Sequence, residues 1–419
     1  MMMLKCSELA RILLEACKIR QKMEGGKASR DGNDQQPRDT YKIAYIIHFL
    51  LGAGNLLPWN ALITAVDYFA YLYPAKHVEK VFSVAYMASS VLMLVVMLSW
   101  RGCSQRLNFR FRMNLGFSLF VFSLMVAPVI DWSCRHKSTG GGPPTGAYGV
   151  TVASVIVCGL ADGLVGGSLI GSAGKLPKEY MQAVFAGTAS SGVLVSSLRI
   201  VTKASLPQTP KGLQTSAHFY FIVGTIILLC CILSCNLLYK LPVMQQHHRL
   251  LEDDSRPKFW SVAGKIRWPA FGIFLIYLVT LSIFPGFLAE NVESKVLGDW
   301  YPILLITMYN IADLLGKSLT AIYLLNSIRK ATWNCIARLL FYPLFTACLH
   351  GPKWLKTEMP VVTLTFMLGL SNGYLTSVFM ILAPKSVPVS EAEISAIVMV
   401  VFLGLGLVAG SVLGWFWII

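Results

Sequence analysis

The sequence predicts an all-α polytopic membrane protein, and three observations lead there. Of its 419 residues 55% are hydrophobic and 14% charged, with a mean hydropathy of +0.59; a soluble domain of this length has no interior large enough to hide so much apolar side chain. The apolar residues also fall into eleven windows, 42–65, 80–100, 113–131, 148–173, 183–203, 217–239, 268–289, 301–325, 333–349, 360–383 and 393–418. Each is long enough as a helix to cross a hydrocarbon core of about 30 Å. Finally, Gly, Pro or charged clusters separate the windows, as loops between spans require.

Charge orients this arrangement. Most of the 36 Lys and Arg residues fall on one side if the N-terminus is cytosolic and the C-terminus external, which is the side positive charge prefers. The net charge of +15 is then chiefly a topology signal, and its spread over many short loops excludes a nucleic-acid partner. Residues 1–40 read as a polar cytosolic tail without an apolar core of signal-peptide length, so the first span must itself direct insertion. The longest inner loop, 240–267, divides the spans into an N-terminal six-helix bundle, 41–239, and a C-terminal five-helix bundle, 268–419. Two bundles on a polar linker are the layout of a carrier that rocks around a central site. The ten Cys include no Cys-x-x-Cys pair, and no His spacing suits a metal, so neither metal nor cofactor is expected.

Charges within spans are costly and usually face a cavity or a partner. They are Asp162 in span four, Arg199 in span five, Asp313 and Lys317 in span eight, and Arg338 in span nine. In "YNIADLLGKSLTAIY", Asn310, Asp313 and Lys317 share one helix face, and the acid precedes the base by four residues, which favours an internal ion pair. That pair is either structural or a ligand site; as a site, its donors and acceptors suit a neutral, polyhydroxylated molecule. In "GLADGLVGGSLIGSAGKLP", the glycines at 159, 163 and 167 suit close helix packing. Asp162 among them is either a satisfied acid or a proton carrier. Arg338 is either a gate or a structural charge answering an acid nearby.

The stretch "LGAGNLLPWNALITAVDYF" places a helix breaker, Pro58, in mid-span, where it cannot donate to the carbonyl of Gly54. A break there needs protein or a cavity to supply partners. One residue on, Trp59 offers a flat aromatic face and Asn60 an amide, a pairing on which a planar base can stack while its edge is read.

These segments resemble the equilibrative nucleoside transporters, especially the plant-type members, some of them regarded as proton-coupled. "GNLLPWNALITAVDYF" looks like the family's Pro-Trp-Asn signature, "GSLIGSAGKLPKEYMQAVFAGTASSG" like its span four to five segment, and "YNIADLLGKSLTA", "ARLLFYPLF", "SNGYLTSVFMILAPK" and "EAEISAIVMVVFLGLGLVAGS" like its spans eight to eleven. The resemblance implies eleven spans in a six-plus-five arrangement similar to the major-facilitator fold, and passage of purine and pyrimidine nucleosides such as adenosine and uridine. It implies a central site formed by Leu56, Trp59, Asn60, Ile63, Gly166, Asn310, Asp313 and Lys317; Asp162, from its place in a close-packed span, is the candidate for a coupled proton. Two departures stand out: relatives commonly carry Gln at the place of Gly166, and many carry Arg at the place of Lys317, which keeps the charge but loses the two-pronged fork.

The expected partners are thus a nucleoside, membrane lipid and, with symport, protons; plasma and vacuolar membranes both fit. Rival readings are a carrier of nucleobases or organic cations, a receptor without transport, and an intramembrane aspartyl protease using Asp162 and Asp313. The Lys one turn from Asp313 argues against the last, because it holds that acid ionised.

Overall fold

The computed structural model describes residues 42–73, 78–99, 108–135, 145–207, 209–241, 259–284, 294, 296–352 and 357–417. The tail at 1–40 and residues 242–258 of the linker lie outside them. Among the described residues there are helices and turns but no strand. In chain order the helices are α1 (Ile43–Thr64), α2 (Val66–Leu72), α3 (Val78–Ser99), α4 (Phe109–Arg135), α5 (Thr145–Gly174), α6 (Lys178–Ser205), α7 (Pro210–Leu238), α8 (Phe259–Lys265), α9 (Arg267–Ile283), α10 (Tyr301–Leu319), α11 (Ile328–Ala337), α12 (Phe341–His350), α13 (Glu358–Lys385) and α14 (Val389–Trp417).

Helix occupies each of the eleven apolar windows. Among the described residues, eight helices are long and apolar enough to span a membrane by themselves, and α8 with α9, bent by 80°, makes a ninth candidate. The eighth and ninth windows fall outside that group. Asn310, Asp313 and Lys317 lower the hydropathy of α10, and the 3-10 turn Arg338–Leu340 divides the ninth window into α11 and α12. Both windows trade apolar character for polar groups that bond inside the protein, with Arg338 Nε the exception.

One expectation needs correction. α1 runs unbroken through Pro58 and ends only at Ala65. Proline removes one backbone donor, but in lipid every other backbone group still gains from the helix. At Gly54, the carbonyl residue that Pro58 cannot serve, the Cys231 side chain and the Phe117 ring crowd the helix. The break at Ala65 is served differently: Arg199 donates to the Thr64 carbonyl at 2.7 Å and pairs with Asp67 at 2.5 Å, answering a C-terminal carbonyl that has no helical partner.

Helices α1 and α3 to α7 pack among themselves, as do α8 to α14, and the two groups meet chiefly along two seams. One seam joins α6 to α10; the other sets α14 against α5 and α3. The outer faces carry large apolar side chains such as Phe122, 63% exposed, and Leu92, 59% exposed, which suit contact with lipid. Lipid is as apolar as leucine, so burial alone does not drive these helices together; close backbone approach does much of that work. The α1 and α6 crossing depends on it. A Cβ at Gly52 would overlap the Val184 carbonyl, and one at Gly187 would overlap the Phe49 carbonyl.

Gly52→Val should therefore force α1 off α6, at a cost of about 1–3 kcal/mol or more. A lower thermal unfolding midpoint and less monodisperse protein in detergent are the expected readouts. Gly146→Ala, at a position with nothing within 4 Å, should change neither.

Candidate functional site

On α10 the spacing read from the sequence becomes contact. Lys317 Nζ lies 2.8 Å from Asp313 Oδ2, and both side chains are buried. The second carboxylate oxygen, Oδ1, accepts from Asn372 Nδ2 at 2.7 Å, reaching across to α13. Asn372 Oδ1 in turn accepts from the Thr280 hydroxyl of α9 at 2.9 Å. The guanidinium of Arg338 donates to the same hydroxyl at 2.7 Å, and also to Ser371 Oγ and the Leu368 carbonyl. One network thus ties α9, α10, α13 and the turn after α11 together. Arg338 and Asn372 thus meet at the Thr280 hydroxyl.

Helix α6 brings the other elements to this network. Lys317 Nζ approaches Thr188 Oγ1 at 3.4 Å, and Asn310 Nδ2 donates to Ser196 Oγ at 2.7 Å. Asn60 of α1 donates to Ser191 Oγ at 2.8 Å, and Ser191 donates back to the Thr188 carbonyl at 2.7 Å. Little more than two turns of α6 therefore collect Asn60, Asn310 and Lys317 from sequence positions far apart.

On α1, Leu56, Trp59, Asn60 and Ile63 lie at i, i+3, i+4 and i+7 and share one face. All four are half-buried, whereas Leu57, Pro58, Ala61 and Leu62 around them are buried. The contacts show which way that face looks. Trp59 sits on the Tyr86 ring of α3, with centroids 4.7 Å apart and planes at 40°, and Asn60 reaches α6, so the stripe faces protein rather than lipid. One turn beyond Tyr86, Ser90 donates to Asp162 Oδ2 at 2.7 Å. The Tyr86 side chain lies beside the same carboxylate. Gly166, one turn after Asp162, is buried, and the three atoms nearest a Cβ built there all belong to the Asn55 carboxamide.

Two clusters result. The first holds Trp59, Tyr86, Ser90, Asp162 and Gly166; the second holds Asn310, Asp313, Lys317, Asn372, Thr280 and Arg338. Asp162 and Asp313 have separate sets of partners, so they do not form the shared-proton dyad that aspartyl catalysis needs. The sequence reading missed Asn372, Thr280, Tyr86 and the α6 hydroxyls at Thr188, Ser191 and Ser196. Asn372 had a signal, an amide in an otherwise apolar window. Serine and threonine carried none, because in a span they usually bond their own helix, as Thr188 also does to the Phe185 carbonyl at 2.7 Å. Among the described residues no group of His, Cys, Asp and Glu is arranged to hold a metal ion.

Comparison with known proteins agrees with this architecture. A family model described as nucleoside transporter matches residues 152–258 and 252–419. Equilibrative nucleotide transporter 8 of Arabidopsis thaliana is 65% identical over 388 residues, covering 92% of this chain and 98% of that protein. Equilibrative nucleotide transporter 1 of the same plant is 50% identical over 399 residues, covering 91% and 88%. Among solved structures, the major facilitator superfamily proton:xylose symporter XylE, bound to 6-bromo-6-deoxy-D-glucose, superposes with a TM-score of 0.60 at 12% identity, covering 90% of this chain and 89% of that one. The human organic anion transporter MFSD10 gives 0.58 at 14% identity, covering 91% and 95%. At such low identity these two speak for the fold alone, which is similar to the major-facilitator arrangement.

The ion pair on α10 makes a direct prediction. Lys317→Met strands the Asp313 charge in the membrane interior and should cost about 3–5 kcal/mol, whereas Asp313→Asn combined with Lys317→Met removes both charges and should recover most of that loss. Thermal unfolding of the two variants in detergent checks it; equal stability would show that the pair does not hold the network together.

Proposed function

The chain belongs to the nucleoside transporter family, and from that premise we propose that it carries purine and pyrimidine nucleosides, adenosine and uridine among them, by alternating access. It is a transporter and not an enzyme. The observation that carries the substrate reading is the neutralised cation on α10. Lys317 is neutralised by Asp313, and Arg338 is buried, its two terminal nitrogens donating to Thr280, Ser371 and the Leu368 carbonyl while Nε has no partner among the described residues. A phosphate would need cations that are not already engaged; a neutral nucleoside needs donors and acceptors, which Asn60, Asn310, Asp313 and Lys317 supply.

In this reading the base stacks on Trp59 between Leu56 and Ile63, Asn60 and Asn310 meet polar edges, and Asp313 with Lys317 holds the ribose hydroxyls. The bundles 41–239 and 268–419 rock about the seam of α6 and α10, exposing the site to each side in turn. The N-terminus is cytosolic, the eleven helical windows are eleven crossings, and the protein resides in the plasma or vacuolar membrane. Asp162, held by Ser90 and beside Tyr86, carries a proton with the substrate. A second reading, transport of nucleobases or organic cations, draws on the same carboxylate. Its hydrogen-bond partner is a hydroxyl rather than a cation, so a cationic amine can serve as its counter-charge.

Uptake of labelled adenosine and uridine into vesicles holding the purified protein tests the reading. Trp59→Ala should raise the KM for both about tenfold, the scale of one base stacked on one aromatic ring. If uptake is absent while a cationic amine is carried, the second reading takes its place. With an imposed proton gradient, wild type should concentrate adenosine above the external level and Asp162→Asn should only equilibrate it. Identical plateaus with and without the gradient would return Asp162 to a structural role.

A further inference from the structure

We propose that Asn55, packed beside Gly166, selects the nucleobase by accepting a hydrogen bond from the base edge. This deepens the nucleoside reading above and rests on it. Asn55 is 8% exposed, and its carboxamide oxygen is buried without a hydrogen-bond partner among the described residues. A buried carbonyl oxygen that lacks a donor destabilises the protein, and a position that served packing alone would be filled better by Leu or Ala. The amide thus awaits a donor that the protein does not provide.

Its surroundings say which donor. Asn55 lies one turn before Trp59 on α1, so the two side chains project from neighbouring levels of one helix flank. Across from it is Gly166, where a Cβ would meet Asn55 Nδ2 at 3.5 Å, Oδ1 at 3.6 Å and Cγ at 3.9 Å. At that point α5 meets the amide with backbone alone. One turn earlier on α5, Asp162 is joined through α3 to the ring beneath Trp59. An aromatic platform and, one turn before it, a carboxamide oxygen without a donor suit a flat ring whose edge carries an N–H. Adenine and guanine offer an amino group and uracil an imide N–H. The ligand class is therefore a nucleoside whose base bears such a donor, and one without it should bind less well.

Adenosine and purine riboside, which lacks only the exocyclic amine, are the probes, used with the full-length protein in vesicles. Wild type should prefer adenosine. Asn55→Leu should raise the adenosine KM about tenfold and move that of purine riboside much less, so that the preference collapses. Gly166→Ser should do the same with Asn55 still present. Its Cβ fits at ordinary contact distance, and the added hydroxyl can donate to the Asn55 oxygen and occupy it. Where Asn55→Leu loses uptake of both compounds, Gly166→Ser decides. A wild-type preference retained in Gly166→Ser, or both compounds weakened equally by Asn55→Leu, overturns the role of Asn55 and leaves nucleoside transport intact. Wild type that carries neither compound overturns both readings together.

Discussion

The polar interior of this protein depends on one ion pair held away from water. Asp313 and Lys317 are a turn apart on α10, and a charge in the middle of a membrane is tolerated only with a partner and a full set of hydrogen bonds. The pair therefore dictates what surrounds it. Asn372 must face the carboxylate, Thr280 must face Asn372, and the Arg338 guanidinium closes the far side. Each of these residues lies on a different helix or turn, so satisfying a single pair fixes the packing of α9, α10, α13 and the turn after α11.

Across the seam the bonding is lighter. From α6 come hydroxyls and a backbone carbonyl, the contact to Lys317 being 3.4 Å and those to Asn310 being 2.7 and 3.3 Å. A carrier needs this asymmetry. In the rocking motion proposed above, strong, buried networks keep each bundle rigid, while the surface between bundles is held by contacts that can be exchanged for a ligand or for water. The second seam follows similar logic by other means. Gly171 and Gly174 of α5 lie against Ile397, Ala396 and the Ala392 carbonyl of α14, and Lys175 pairs with Glu393 at 2.7 Å where both remain partly exposed. A partly exposed pair is worth little and parts easily.

The N-terminal half contributes shape more than charge. Trp59, Tyr86 and the glycines of α5 form surfaces, and Asp162 is the charged residue among them, held by a hydroxyl. Under the proposed function, the division corresponds to the two parts of a nucleoside, a flat base that is recognised by stacking and edge contacts and a sugar recognised by its hydroxyls. It also explains how Lys at position 317 can serve where a two-pronged Arg is familiar. The ammonium needs one carboxylate oxygen, because the other is already held by Asn372.

The sequence by itself determined a great deal. Membrane embedding, the helical windows and the pairing of Asp313 with Lys317 all follow from local rules, hydropathy over a window and a spacing of four along one helix. The common face of Leu56, Trp59, Asn60 and Ile63 follows from the same periodicity. What the sequence misjudged was Pro58, read as a break, because a local rule about a missing donor omits the pressure of lipid to keep a helix intact. Only the tertiary structure decided which helices share a polar network. That Asn372 answers Asp313, that Arg338 meets Asn372 at the Thr280 hydroxyl, and that α6 gathers Asn60, Asn310 and Lys317 are facts of contact between residues dozens to more than a hundred positions apart. The unpartnered oxygen of Asn55 beside Gly166 is of the same kind. A sequence names every donor and acceptor, but only packing decides which of them is left without a partner.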